Sequence, residues 1–316
     1  MASTIVKRLI LIASLLVSFA FASEALAQRV ILVDESNEAT PQVEARAALG
    51  LLGVSTDAAN FTYAATGGDF VTGYGPLGET RNRWDLMIVE LHRTPITSVT
   101  AGVILDHLAA GRPLIFSASS LYQPTTSSLF AVSQSLQTAM GLNCTAALTA
   151  GQAVTTAPSN GVDLFNYPDT ANRIVSPMTG VRAGTTVFGN ICNFPTGAPA
   201  GGRIFARLGA SAVTGNPAIL FTANKKVLWH ALVGNAMALY DNDADGVTDL
   251  TEYYRNAIQF ILDEQVGRVV TVGDTDFAAA TAYATSLGVT ATTVTDFDRL
   301  DYIINRGNFD TLFIEY

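Results

Sequence analysis

Residues 241–252 read Asp-Asn-Asp-Ala-Asp-Gly-Val-Thr-Asp-Leu-Thr-Glu, which places acids at loop positions 1, 3, 5, 9 and 12 and a glycine at position 6. Calcium takes six to eight hard oxygen ligands, and a loop of this length wraps one ion if the chain turns sharply at its glycine. On that spacing Asp241, Asp243 and Asp245 supply carboxylates and Val247 supplies a backbone carbonyl. Asp249 ligates directly or through water, Glu252 closes the site with both oxygens, and Gly246 permits the turn. The competing reading is a solvated acidic turn that opens a helix, whose N-terminus favours the charges of Asp249 and Glu252. Five carboxylates at this spacing exceed what a helix start needs, so calcium is the expected cofactor. The expected affinity is that of extracellular modules, roughly 0.1 to 1 mM.

A second group, Asp34, Glu35, Glu90, His92, Ser117, Ser119 and Ser120, falls at or just beyond the ends of predicted strands. Open α/β sheets gather ligands at that edge. Ser119, His92 and Glu90 could form a hydrolase acting on glycans or peptides, but the Gly-x-Ser-x-Gly elbow that exposes a serine nucleophile is missing. No phosphate-cradling glycine loop, HExxH pair or CxxC occurs. His107, in a helical stretch beside Leu105 and Leu108, and His230, inside a strand, read as hydrogen-bonded structural residues. Cys144 and Cys192 sit in Asn-, Thr-, Gly- and Pro-rich segments with no histidine nearby, which favours a disulfide over a thiol nucleophile. Closing a loop of that size contributes about 4 kcal/mol in the chain-entropy account.

Residues 1–27 read as an address. Lys7 and Arg8 precede an apolar run over 9–22, and Ala25-Leu26-Ala27 supplies a small-x-small cleavage pattern before Gln28. The run is short for a span of roughly 20 residues, and no later segment is apolar enough to cross a bilayer, so a cleaved leader and a secreted, periplasmic or cell-surface setting without a transmembrane anchor are expected. The net charge is −9, and Lys7, Lys225 and Lys226 are the lysines, so no basic stripe is available to displace the counterions of a nucleic acid.

The elements that must position these groups follow from periodicity. Residues 29–34 (RVILVD), 84–91 (WDLMIVEL) and 112–117 (RPLIFS) are continuous apolar runs, as expected of parallel strands buried on both faces. Between and after them lie helical patterns. The first is capped by Thr40, with Val43, Ala47 and Leu51 on one face and Gly53 ending it, and others span 99–110 and 127–140. Residues 141–202 are irregular and carry both cysteines, an expected insertion with short strands. Strands then return at Arg203–Leu208, 218–222 and 226–232, the last two joined in a hairpin at Ala223-Asn224-Lys225. The acidic loop runs into a helix over 250–262 with Leu250, Tyr254, Ala257, Ile258 and Ile261 as its buried stripe. Strand and helix alternation argues for a doubly wound, mostly parallel α/β sheet of flavodoxin-like type with a late β-hairpin.

From Arg268 the chain repeats its opening. Arg268-Val269-Val270-Thr271-Val272 echoes Arg29-Val30-Ile31-Leu32-Val33, and Asp310-Thr311-Leu312-Phe313-Ile314-Glu315 echoes Asp85-Leu86-Met87-Ile88-Val89-Glu90. Strands near 268–274 and 292–294, a helix over 297–305 and a final strand would make 265–316 a βαβαβ half unit after a domain at 28–264. The similarity of all parallel βαβ units is an equally weighted explanation.

The first strand and helix, the 84–91 strand, the late hairpin and the closing helix with Asn256-Ala257-Ile258 together resemble the class I glutamine amidotransferase-like superfamily. Active members of that family place a cysteine on a tight turn after a core strand; here the turn is Ser117-Ala118-Ser119-Ser120. The resemblance therefore implies a flavodoxin-like domain without the family nucleophile. The acidic loop resembles thrombospondin type 3 and EF-hand-type loops, with Thr248 departing from the aliphatic residue usual at position 8 of the latter. The expected function is that of an exported, non-catalytic, calcium-stabilised binding or structural protein. Its partner is itself, through the C-terminal half unit, and any small-molecule ligand is unspecified. The alternative is a secreted hydrolase.

Overall fold

The computed structural model describes residues 29–34, 39–52, 61–64, 67–78, 84–91, 95–118, 120–148, 154–157, 159, 164–166, 189–198, 201–224, 226–231, 246–263, 269–272, 291–294 and 311–314. The leader at 1–27 lies outside them, as do Glu35, His92, Ser119, Asp241, Asp243, Asp245, the helix expected over 297–305 and Glu315.

Strands β1 (Val30–Asp34), β3 (Leu86–Leu91) and β4 (Leu114–Ala118) are the apolar runs read from sequence, and every residue of β3 and β4 is buried. They join β2 (Phe61–Ala64) and β10 (Val227–His230) in a parallel sheet of order β2-β1-β3-β4-β10. Antiparallel β9 (Pro217–Phe221), β8 (Arg203–Leu208) and β6 (Val154–Thr156) extend it to eight strands. The first five follow the 2-1-3-4-5 order of flavodoxin-like sheets. The expected hairpin joins β9 to β10, and Asn224 Oδ1 fastens its turn by accepting from the Thr222 hydroxyl at 2.6 Å and the Lys226 N–H at 3.2 Å.

Five helices flank the sheet among the described residues: α1 (Ala39–Leu51), α2 (Gly67–Tyr74), α3 (Ser98–Ala109), α4 (Phe130–Met140) and α5 (Asp249–Asp263). The helices α1 and α5 pack together on one face, while α2, α3 and α4 lie side by side on the other. Three sequence expectations shift. α1 begins at Ala39 and so contains Thr40, the residue expected to cap it. α1 buries Ala45, Ala48 and Leu49 instead of the phase through Ala47 and Leu51, and Leu51 is exposed. α1 packs against α5, and such tertiary packing sets which face is buried, a requirement that helical period alone does not reveal. α4 begins at Phe130, not 127, because Ser127 spends its groups locally. Its N–H donates to the Pro124 carbonyl, and its hydroxyl donates to Gln123 Oε1 and accepts from the Leu129 N–H. The helix ends at left-handed Gly141 (φ 73°), with the Leu142 N–H returning to the Gln137 carbonyl. Neither β2 nor α2 was anticipated, since both are short.

The irregular region contributes β5 (Asn143–Leu148) and β7 (Gly189–Asn193), an antiparallel ribbon. Cys144 and Cys192 face each other across it and form the expected disulfide. In the tail, β11 (Val269–Val272), β12 (Ala291–Val294) and β13 (Thr311–Ile314) make a three-stranded parallel sheet of order β12-β11-β13. Val269 pairs with Thr311 as Val30 pairs with Leu86, the two registers that the sequence echo aligns.

The core concentrates under α5. Phe260 is 1% exposed and meets Phe205 and Phe221 edge-on at 5.1 and 5.0 Å between ring centres. The Arg203 guanidinium lies 5.8 Å from the Phe260 ring centre. Truncating Phe260 to alanine leaves a cavity in the angle between helix and sheet, and urea denaturation of Phe260→Ala is expected to show a loss of about 3–5 kcal/mol with an unchanged m-value. A loss below about 1 kcal/mol would mean that this packing does not anchor α5.

Candidate functional site

Register alone assembles the strand-end group. Asp34 pairs with Glu90, Glu90 with Ser117 and Ser117 with His230, so these four positions form one row across β1, β3, β4 and β10 at the C-terminal edge of the parallel sheet. Register partners share a face of the sheet. Three of the four side chains are described, and all three are sealed: Glu90 is 1% exposed and Ser117 and His230 are 0% exposed.

Helix α5 provides the cover. The Tyr254 hydroxyl donates to Glu90 Oε1 at 2.5 Å, a short charge-assisted bond, and the Tyr253 hydroxyl shares a hydrogen bond of 2.6 Å with His230 Nε2. Tyr253 also stacks obliquely on Phe165 of the 3-10 turn Leu164–Asn166, with ring centres 5.7 Å apart. Burial lowers the His230 pKa from 6.5 to about 3, so the ring is neutral at physiological pH. Burial first, and the Glu90 charge second, push the Tyr253 phenol well above its usual 10. The arrangement is a hydrogen-bonded lock between helix and sheet. A neutral imidazole and an un-ionised phenol, both without solvent contact, are placed for cohesion.

The sequence reading of His230 and His107 as structural residues agrees with this geometry. His107 Nε2 lies 2.8 Å from the Pro113 carbonyl, tying α3 to the start of β4. Of the proposed Ser119, His92 and Glu90 trio only Glu90 is described, and it is engaged by Tyr254.

At the acidic loop the described part begins with Gly246, which has φ 88°, the left-handed conformation that a sharp turn at position 6 requires. Thr248 caps α5: its hydroxyl oxygen lies 3.3 Å from the Thr251 N–H, and its carbonyl accepts from the Glu252 N–H at 3.1 Å. That role accounts for a threonine where calcium loops of the EF-hand type carry an aliphatic residue. Asp249 and Glu252 are 2% and 1% exposed, and Arg255 Nη2 lies 3.5 Å from Glu252 Oε1. Val247 is half-buried between them and the glycine. Gly246 turns as position 6 of such a loop requires, and the buried Asp249 and Glu252 offer oxygen donors of the kind calcium takes. Among the described residues alone no group of three or more His, Cys, Asp or Glu side chains is arranged to hold a metal. Asp241, Asp243 and Asp245 lie outside them.

Sequence reasoning missed two residues at this edge. Tyr253 lies off the anticipated stripe of α5, which is buried nearly all round. Asn190, 0% exposed in β7, donates its amide to the Ala118 carbonyl and accepts from the Tyr122 N–H at 2.7 Å, so it grips the segment leaving β4 from both sides. Nothing in the Asn-, Gly- and Thr-rich insertion distinguishes this asparagine from its neighbours.

No family model and no curated protein matches the chain. Among solved structures it is similar to a ThuA-like protein from Bacteroides uniformis, with 11% identity and a TM-score of 0.45 over 76% of this chain and 93% of that one. That likeness is distant, and the assignment to a flavodoxin-like α/β fold rests on the strand order and register described above.

Proposed function

We propose that this is an exported, calcium-braced protein whose α/β domain serves binding or assembly and not catalysis. The observation that carries the reading is the cover over the strand ends. Glu90, Ser117 and His230 are sealed beneath Tyr253 and Tyr254, and the helix that seals them starts with the buried acids Asp249 and Glu252 of the loop. A buried carboxylate is tolerated when it is paired or coordinates a cation. Bound calcium would hold the first turn of α5 against the sheet through Asp249 and Glu252, with Asp241, Asp243, Asp245 and the Val247 carbonyl completing the shell. The disulfide is compatible with an extracellular setting, and among the described residues no helix is long and apolar enough to cross a membrane. The hydrolase alternative has less support, because its Glu90 is buried and engaged by Tyr254. Assembly is assigned to the tail, where among the described residues a three-stranded sheet has two outer strands, β12 and β13, each with an edge suited to pairing.

Titration calorimetry with calcium should give a dissociation constant of roughly 0.1 to 1 mM and a calcium-dependent rise in melting temperature. Glu252→Gln should weaken binding at least about tenfold. Absence of heat together with an unmoved melting temperature would end the calcium reading.

The lock at His230 has a pH signature. The unfolded chain takes up the His230 proton below about 6.5, whereas the folded chain resists until about 3. Stability is therefore lost as pH falls through that window, by about 1.4 kcal/mol per pH unit in its middle, and is unaffected above it. In His230→Gln this proton's slope should vanish from the stability profile, the carboxylates cancelling in the comparison. Identical slopes between pH 4 and 6 in the two proteins would show that His230 is not buried neutral.

A further inference from the structure

The disulfide closes a ring of contacts that reaches beyond its own ribbon. On one side, the Cys144 N–H donates to Gln137 Oε1 at 2.9 Å, and the same Gln137 amide donates through Nε2 to the Leu121 carbonyl at 3.3 Å. Ser133, one turn earlier on α4, donates its hydroxyl to that carbonyl at 2.5 Å and accepts from Gln137 Nε2 at 2.8 Å. On the other side, Asn190 is two residues from Cys192 on β7 and holds the Ala118 carbonyl and the Tyr122 N–H. The neighbouring Gly189 is pressed so closely on the end of β10 that a Cβ there would overlap the Ala231 carbonyl oxygen, while the Asn190 N–H donates to that oxygen at 3.0 Å. Gln137, Ser133 and Asn190 are all at least nine-tenths buried. Each commits at least one polar atom to the backbone of the segment that leaves β4 at the row of Glu90, Ser117 and His230. The sulfur–sulfur bond joins the Gln137 tether to the Asn190 tether.

We propose that Cys144–Cys192 is a redox latch on the segment leaving β4, acting through Gln137 and Asn190: oxidised, it fixes Leu121 and Tyr122, and reduced, it releases them while the central sheet stays folded. Opening takes two electrons and two protons from a dithiol. One thiolate attacks a cystine sulfur, and the second thiol resolves the mixed disulfide, leaving Cys144 and Cys192 as thiols and the reagent as its own cyclic disulfide. Cys144 and Cys192 are 5% and 1% exposed, so the attack requires the ribbon to lift first. The latch is therefore set when the chain folds under oxidising conditions, and it holds afterwards.

Coupling between two sites is reciprocal. If the disulfide steadies the grip of Asn190, that grip must shield the disulfide. Amide exchange followed by NMR in the full chain tests the first direction. In the Cys144→Ser, Cys192→Ser double variant the Tyr122 amide should exchange about tenfold faster or more, while Trp229 in β10 keeps its protection. The second direction is read in Asn190→Ala, whose disulfide should be reduced by dithiothreitol about tenfold faster than that of the native chain, since two buried hydrogen bonds no longer oppose lifting. Unchanged Tyr122 exchange in the double variant, or an unchanged reduction rate in Asn190→Ala, would overturn the latch. So would a loss of Trp229 protection together with that of Tyr122, because the bond would then staple the whole fold.

Discussion

Burying Glu90 is the constraint on which the upper edge of this sheet depends. A carboxylate placed mid-sheet, 1% exposed, costs several kcal/mol unless strong donors meet it, and Tyr254 supplies one at 2.5 Å. That single bond dictates where α5 lies along the sheet. Once Tyr254 is set, its neighbour Tyr253 falls over His230, and Phe260, two turns on, falls between Phe205 and Phe221. The helix thus reads the sheet in two chemistries, polar at the strand ends and aromatic toward the antiparallel strands. A shift by one turn would bring Leu250 or Ile258 to the place of Tyr254 against Glu90. The polar contacts specify the register, and the aromatic contacts carry the burial energy.

The same constraint limits what chemistry the edge supports. General acid–base catalysis needs a group whose pKa lies near the working pH and which reaches the substrate. His230 is neutral down to about pH 3 because it has been removed from water, and its Nε2 is occupied by Tyr253. A strand-end row that in an open sheet would face a ligand is here turned to holding a helix. Strand order places polar groups at the edge, but the covering element decides whether they meet solvent.

Much of this architecture was legible from local pattern. The strands β1, β3 and β4 announce themselves because burial on both faces demands an unbroken apolar run, and the β9–β10 hairpin because the turn at Ala223 and Asn224 interrupts two such runs. The phase of α1 was not legible, since small Ala45 and Ala48 are buried while larger Leu51 is left exposed, and hydrophobicity along the helix does not show which face the rest of the fold covers. The polar row was visible only as separate strand ends. That Glu90, Ser117 and His230 stand in line depends on interstrand register, which no single segment encodes. Asn190 was out of reach for the same reason, because its value comes from the Ala118 and Tyr122 backbone, some 70 residues away in sequence.

Those distant dependencies converge on one short stretch of chain. The segment leaving β4 is held from α4 by Ser133 and Gln137 and from β7 by Asn190, while the β4 residue before it, Ser117, stands in the row beneath α5. Backbone in an irregular segment has no ladder to satisfy it, so each buried N–H and C=O needs a dedicated partner. A protein meets that need with water where the segment is exposed and with side chains where it is covered. Here side chains from two elements, α4 and β7, are committed, and β7 is tied in turn to β5, whose Cys144 N–H meets Gln137, by a covalent bond. The irregular insertion is therefore a working part of the domain: without its β7 strand, the Ala118 carbonyl and the Tyr122 N–H would lose the partner that Asn190 gives each of them.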